Sequence, residues 1–224
     1  MPRLKLLSSH DEAGNIRTYV FEAGDTSWIA GQHDTFVLEQ AGDDKAVNRR
    51  WFTIASAPSE GCIWLTTRIS DSPFKQALSR LKPGDAITTQ GVGGKFVWED
   101  DAPVPVVLVA GGIGITPFRS ILVERKAQGK PLNATLLYFN RDEHIAYREL
   151  FDRLAKEHPE FQVRYLINEP ITAEKIAELA PLSPQTTVFL SGPKVMVDNV
   201  GNALKEKGVP LKQDWFPGYD EGNY

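Results

Sequence analysis

Residues 106–118 read VVLVAGGIGITPF, an unbroken apolar run that ends in a glycine-rich turn and a Thr-Pro pair. A strand with no polar face needs cover on both sides, which a parallel sheet flanked by helices supplies. Gly111, Gly112 and Gly114 then make a turn without side-chain bulk, and Thr116 and Pro117 open a helix. Such a turn brings backbone amides and a helix N-terminus up to a phosphate. It serves equally where a strand and a helix simply pack closely. The pattern is not GxGxxG, because Pro117 stands in the third glycine's place and no acidic residue follows at the distance that usually meets a ribose.

Short, mostly apolar runs at 135–139, 163–167, 188–190 and 212–216 alternate with helical spacing at 117–128, 145–157, 173–179 and 194–207, the last closed by Gly208. With the run at 106–110 they predict an α/β domain: a doubly wound, five-stranded parallel sheet that binds its ligand at the carboxyl ends of the strands. The N-terminal part differs in kind. Stretches rich in β-branched and aromatic residues at 18–22, 33–39, 51–55, 62–69 and 86–90 are divided by AGDD, APSEG and LKPGD, which predicts a small antiparallel β-barrel. Its one clear helix covers 73–81, with Ser72 as N-cap and Pro73 at the first helical position. The acidic, proline-bearing WEDDAPVP at 98–105 reads as a linker, so the expected domains are residues 1–101, all-β, and 102–224, α/β.

Composition narrows the chemistry. The 224 residues carry 25 Lys and Arg against 29 Asp and Glu, a net charge of -4 that argues against nucleic acid, since phosphate backbones are bound through surplus cations. The lone Cys62 can form no internal disulfide and reads as a structural thiol. Without more cysteines, and with four histidines that lack HExxH spacing, no metal is expected. The longest apolar run, 104–114, falls short of the roughly 20 residues of a membrane helix, and the N-terminus has no apolar stretch of signal-peptide length. No membrane span and a reducing, cytoplasmic setting are therefore expected. GVGGKF at 91–96 is no P-loop, because Thr89 takes the first glycine's place and Phe96 follows the lysine.

A second constellation, RRWFTIAS at 49–56, falls on a predicted barrel strand. Alternation puts Arg50, Phe52 and Ile54 on one side and Trp51 and Thr53 on the other. A guanidinium is a forked donor suited to pyrophosphate, and an aromatic ring is a platform for a planar heterocycle. A hydroxyl such as that of Thr53 both donates and accepts, which suits a ligand atom that gains a proton on reduction. An aromatic core strand flanked by a solvated arginine pair is the other reading of the same residues.

With both segments in view, the chain resembles the ferredoxin-NADP reductase family of flavoproteins over nearly its whole length. IAGQH at 29–33 is similar to the family's (P/A)GQ segment, RWFT at 50–53 to its Arg-x-(Tyr/Phe)-(Ser/Thr) flavin motif, and GVGGKF to its GPxGxF turn. GGIGITP at 111–117 and SGPKVM at 191–196 look like its pyrophosphate turn and its Cys-Gly-Pro segment. The resemblance implies an FAD-binding barrel followed by a nicotinamide-dinucleotide domain. It also implies an FAD-dependent NAD(P)H oxidoreductase, in which nicotinamide delivers hydride to flavin N5 and electrons pass to a separate acceptor.

Carried over by position, the resemblance has Arg50 hold the FAD pyrophosphate, Phe52 stack on the isoalloxazine with Trp51 beside it, and the Thr53 hydroxyl address N5. Thr67, Arg68 and Ile69 fall on the next flavin-binding strand, and Phe74, Lys75 and Gln76 on the helix start that meets the FAD phosphates. Lys75 stands where the family commonly has Ser; it either supplies its backbone amide and a charge or is a solvated helix residue. Gly112, Gly114, Ile115 and Thr116 line the pyrophosphate and nicotinamide ribose, and Asn140 and Arg141 stand where the adenine ribose is read. A cation there pairs with the extra phosphate of NADPH, so Arg141 tilts the reading slightly from NADH toward NADPH, against the adjacent Asp142 and Glu143.

Gly192, Pro193 and Met196 lie in the Cys-Gly-Pro segment, where Ser191 replaces the cysteine beside nicotinamide C4, keeping its size and losing its polarizable sulfur. Thr53 and Ser191 are the catalytic candidates. Phe216, with Trp215, Tyr219 and Tyr224, either covers the flavin's other face or packs the last strand. The implied acceptor is a ferredoxin, another redox protein, a free flavin or a small molecule. A flavin reductase, the reductase component of an oxygenase and a non-catalytic FAD-binding electron-transfer subunit are the alternatives.

Overall fold

The computed structural model describes residues 2–42, 45–99 and 105–216. Most of the expected linker, residues 100–104, lies outside the described residues, as do Tyr219 and Tyr224. The chain divides into two units, Met1–Trp98 with Arg119–Glu124, and Glu99–Phe118 with Arg125–Tyr224.

The first unit holds six strands, β1 (Arg3–Ala13), β2 (Ile16–Glu22), β3 (His33–Val37), β4 (Arg49–Thr53), β5 (Cys62–Arg68) and β6 (Ala86–Gly93), with short helices α1 (Lys45–Asn48) and α2 (Pro73–Ser79). The strands pair antiparallel in the order β4-β3-β6-β1-β2-β5. Sequence periodicity did not reveal β1, and its burial shows why. Only Leu4 and Leu6 are buried; the remainder is exposed up to Asp11 and half-buried at Glu12 and Ala13. It forms because β6 takes the backbone groups of Arg3 to Lys5 and β2 those of Leu6 to Ala13, with irregularities between Leu6 and Ser8 and between Asp11 and Ala13.

The core of this unit gathers Leu4, Leu6, Tyr19, Phe21, Phe36, Phe52, Phe74 and Leu78. Helix α2 starts as expected, with Pro73 in its first turn and the Ser72 hydroxyl accepting from the Lys75 amide at 3.3 Å. Arg119–Glu124 groups here because of what its side chains bond. The Arg119 guanidinium, 5% exposed, donates to both carboxylate oxygens of Glu60 at 2.6 and 2.8 Å and to the Ala55 carbonyl at 2.9 Å, and lies 3.8 Å over the Trp64 ring. The Ser120 hydroxyl donates to the Ser56 carbonyl at 2.6 Å.

The second unit runs through β7 (Val106–Gly111), the two ends of α3 (Thr116–Ala127), whose Arg119–Glu124 group with the first unit, then β8 (Ala134–Asn140), α4 (Arg148–Glu157), β9 (Phe161–Ile167), α5 (Ala173–Leu179), β10 (Thr187–Pro193), α6 (Lys194–Glu206) and β11 (Leu211–Phe216). All five strands are parallel, in the order β11-β10-β7-β8-β9. The chain moves outward from β7 to β9, then returns to β7's other side as β10. That reversal sets a topological switch point between β7 and β10, where doubly wound sheets bind ligands. Every residue of β7 is buried, as its unbroken apolar run requires.

One expected helix starts late. The apolar Ile145, Ala146 and Tyr147 continue the helical spacing and are buried, but Tyr147 adopts φ 60, so α4 begins only at Arg148. Among the described residues no helix is long and apolar enough to cross a membrane, and no group of three or more His, Cys, Asp or Glu side chains could hold a metal ion.

Candidate functional site

The switch point in the second unit is built by close approach. Beyond β7 the chain makes one 3-10 turn, Gly112–Ile115, with Gly112 at φ 55. A Cβ on Gly114 would stand 2.3 Å from the Ser191 carbonyl oxygen and 2.8 Å from the Gly192 Cα, so only glycine lets the turn rest on the end of β10. Close packing therefore explains Gly114. Ile115 is wholly buried, and the Thr116 hydroxyl, 3% exposed, donates to the Ile113 carbonyl at 3.2 Å. These two side chains shape the turn from within.

On the other side of the switch point, Ser191 is fully buried on β10, in register with Asp214 on β11. Its hydroxyl points to Asp214 Oδ2 across a long 3.5 Å. Burial pushes the Asp214 carboxyl up from 3.8 to about 7, against the weaker opposing pull of the Ser191 hydroxyl and the Trp215 amide. Sequence reasoning missed Asp214, a single acid in KQDWF with no motif around it; only strand register reveals its neighbour. A carboxyl displaced by burial at the carboxyl edge of a parallel sheet is a candidate for function. Gly192 and Pro193 are buried, and Met196 reaches back over Gly111 and Gly192, so this cluster lies together at the carboxyl edge. Phe216 pairs with Pro193 and is partly covered, while Trp215 is exposed with the Lys194 ammonium over its ring.

Asn140 ends β8 one residue beyond the Gly111–Phe139 pair, at the same edge. Its side chain is 7% exposed, and neither carboxamide atom has a hydrogen-bond partner among the described residues. Arg141 is exposed, as are Asp142 and Glu143 after it.

In the first unit, Arg50 and Arg49 stand side by side on β4, the Arg50 guanidinium donating to the Arg49 carbonyl at 2.6 Å. Arg49 donates to Gln90 at 3.3 Å, but its buried Nε has no partner. Arg68 repeats this pattern, with Asn15 at 3.1 Å and an unpartnered, buried Nε. Thr53 and Thr67 are buried, and the Ile69 amide donates to the Asn15 carbonyl at 2.7 Å.

Two of the site residues are engaged within the fold itself. Phe52 is largely a core residue, 8% exposed, its ring centroid 6.1 Å from Phe36 and 5.6 Å from Phe74. The exposed aromatic is Trp51, stacked on His33 at 5.9 Å. The Lys75 amide donates to the Ser72 hydroxyl at the helix start, and the Gln76 amide to the Ser72 carbonyl at 2.9 Å. Phe74 is fully buried beneath them.

The family described as "Oxidoreductase NAD-binding domain" matches residues 108–201. Ferredoxin--NADP reductase B of Sorangium cellulosum is 30% identical over 230 residues, covering 93% of this chain and 89% of that protein. The chain belongs to the ferredoxin-NADP reductase family. A flavohemoprotein of Candida albicans is 28% identical over 85% of this chain, which spans 51% of that protein's length. A solved ferredoxin NADP+ reductase from Neisseria gonorrhoeae, with bound FAD and NADP, shares the fold at a TM-score of 0.80, with 17% identity over 95% of this chain and 97% of that one.

Residues 108–201 carry the oxidoreductase NAD-binding domain, and it is the Neisseria gonorrhoeae reductase that holds FAD and NADP in its structure. The antiparallel and parallel sheets are the two halves of the family fold. The residues present suit both groups. Arg49 and Arg68 each bring a guanidinium, a forked donor suited to pyrophosphate, to the ends of β4 and β5.

Proposed function

We propose that the chain takes hydride from NAD(P)H onto FAD and passes the electrons to a separate acceptor. The observation that carries this is the switch point, where the glycine turn after β7 rests on Ser191–Met196 beside a carboxyl with a displaced pKa. Bound flavin supplies an acceptor for two electrons that can leave singly.

Residues 1–101 form the FAD-binding part. Arg50, joined by Arg49 and Arg68, neutralises the pyrophosphate through forked donors. Thr67, Ile69 and the α2 start, Phe74 to Gln76, shape the surround. Phe52 forms a floor, Trp51 stands beside it, and Thr53 presents a hydroxyl to the position that gains a proton. Residues 102–224 form the NAD(P)-binding part. The backbone of Gly112 to Thr116 orients the pyrophosphate at the α3 N-terminus, and Asn140 and Arg141 read the adenosine end. Ser191, Gly192, Pro193 and Met196 make the close wall for the nicotinamide ring, with Asp214 behind Ser191 holding or releasing a proton near neutral pH, and Phe216 closing the edge. Holding the reacting atoms in line is the residues' main contribution to rate.

Relatives named for ferredoxin and for haem favour another redox protein as acceptor, and a ferredoxin is the specific proposal. The single free thiol, Cys62, fits a reducing, cytoplasmic compartment. Protein purified in the presence of FAD should stay yellow and oxidise NADH or NADPH with ferricyanide as acceptor. Colourless protein that oxidises neither nucleotide would overturn the proposal.

A further inference from the structure

We infer that Arg119 and Ser120 of α3 are positioning residues for the flavin, fixing from the second half of the sequence the junction at which the flavin-side motifs meet; this deepens the FAD site proposed above and rests on it. Those motifs, AGQ at 30–32, RWFT at 50–53 and GVGGKF at 91–96, are bonded to one another within the first unit. The Ile54 amide, directly after RWFT, donates to the Gln32 carbonyl at 2.9 Å, and Gln32 Nε2 donates to the Gly94 carbonyl at 3.1 Å. The segment 119–124 of α3 belongs to the same unit and backs this junction. Arg119 donates to the Ala55 carbonyl at 2.9 Å and the Ser120 hydroxyl to the Ser56 carbonyl at 2.6 Å, two and three residues beyond Thr53. Ile121 lies against Gly31, where a Cβ would stand 3.0 Å from Ile121 Cδ1 and 2.0 Å from the Phe96 carbonyl oxygen. Helix and motifs therefore share one packed joint.

Energetics decide what the charged pair is for. Taking a guanidinium and a carboxylate out of water costs about what their attraction returns, and apolar side chains of the same volume serve stability at least as well. What apolar side chains lack is direction. The planar fork of Arg119 meets both Glu60 oxygens, at 2.6 and 2.8 Å, and the Ala55 carbonyl with a third bond, which only one orientation of its plane allows. Glu60 is itself fixed, its Oε2 accepting from the Ala57 amide at 2.6 Å. The strand exit is held from its other sides as well: the Ala55 amide donates to the Trp64 carbonyl at 2.9 Å, and the Trp64 amide to the Ser56 hydroxyl at 3.0 Å. The Ser59 amide adds a bond to Glu124, again on α3, at 2.8 Å. A buried ion pair placed here locates residues 55–57, and through them the end of the RWFT strand.

The test compares FAD-loaded wild type with Arg119→Met/Glu60→Gln, with Ser120→Ala, and with Ile87→Val, a change to a buried core residue on β6 in register with Leu4. The glutamine leaves no charge stranded and still accepts from the Ala57 amide, so the double variant should keep most of the stability that Arg119→Met alone loses. FAD release is followed by flavin fluorescence after dilution, with thermal melts beside it. FAD should leave the double variant about tenfold or more faster than wild type, and Ser120→Ala about threefold or more faster, while Ile87→Val releases it at the wild-type rate. The rate of flavin reduction at saturating NADH or NADPH should fall in the same two variants, with the nucleotide KM within about twofold of wild type. Release within about twofold of wild type in both would overturn the inference. So would release from Ile87→Val as fast as theirs, which would reduce the joint to general stability. If the double variant does not fold, Ser120→Ala decides on the same release rate. Flavin held by wild type but reduced by neither nucleotide would count against the proposed reaction alone, with the release rates still judging the joint; wild type that holds no FAD would overturn both.

Discussion

Replacing Asp214 by Asn should make the protein more stable at alkaline pH and leave it nearly unchanged in acid. Burial raises this carboxyl from 3.8 to about 7. Between those values the folded chain keeps a proton that the unfolded chain has released, so stability falls as pH rises through the window and levels off above about 7. At about 1.4 kcal/mol per pH unit for one proton, the whole window amounts to about 4 kcal/mol, a ceiling that the partial exposure of Asp214 lowers. Asparagine keeps the shape without the titration. Urea denaturation of FAD-loaded wild type and Asp214→Asn at half-unit steps from pH 4 to 8.5 isolates the effect, because His33, Asp34 and every other titrating group cancel in the difference. The variant's advantage should be near zero at pH 4, grow through pH 5 and 6, and plateau above about 7. Curves that stay parallel across the range would refute the reasoning, as would an advantage that grows toward acid.

Arg119→Met should destabilise the first unit by about 3 kcal/mol, because it removes three hydrogen bonds and strands a partly buried Glu60; a loss under about 1 kcal/mol in urea would show that pairing to be weak. Gly114→Ala should lower thermal stability and weaken dinucleotide binding together, since its Cβ would lie 2.3 Å from the Ser191 carbonyl; a variant that melts and binds like wild type would contradict the close approach. Ser191→Cys should change the rate of flavin reduction measured by anaerobic stopped flow while leaving FAD content alone, and an unchanged rate would remove Ser191 from the nicotinamide wall.

Much of the fold is legible because burial writes directly into sequence. The run at 106–110 is apolar at every position since β7 is covered on both faces, and the Ser72-Pro73 pair marks the start of α2 through its own capping chemistry. β1 was hidden because its place in the sheet depends on backbone pairing with β2 and β6, which side-chain pattern does not report. The start of α4 was misplaced because burial continued through Tyr147 while its backbone turned left-handed. In the site, the turn at 111–117 and Ser191 were visible as motifs. Asp214 and the unpartnered Asn140 carboxamide were not singled out as such, because their character comes from register and from neighbours distant in sequence. Phe52 shows the opposite limit: its motif is plain, but the packing of Phe36 and Phe74 decides how much of the ring is open.

The most direct test of the central claim is the visible spectrum of the FAD-loaded protein under anaerobic conditions, before and after one equivalent of NADH or of NADPH. The account predicts bound oxidised flavin that bleaches on adding the nucleotide and recovers its colour when an oxidised acceptor is supplied. Flavin that stays bound and oxidised with both nucleotides would contradict it and leave a cofactor-binding chain without the reaction.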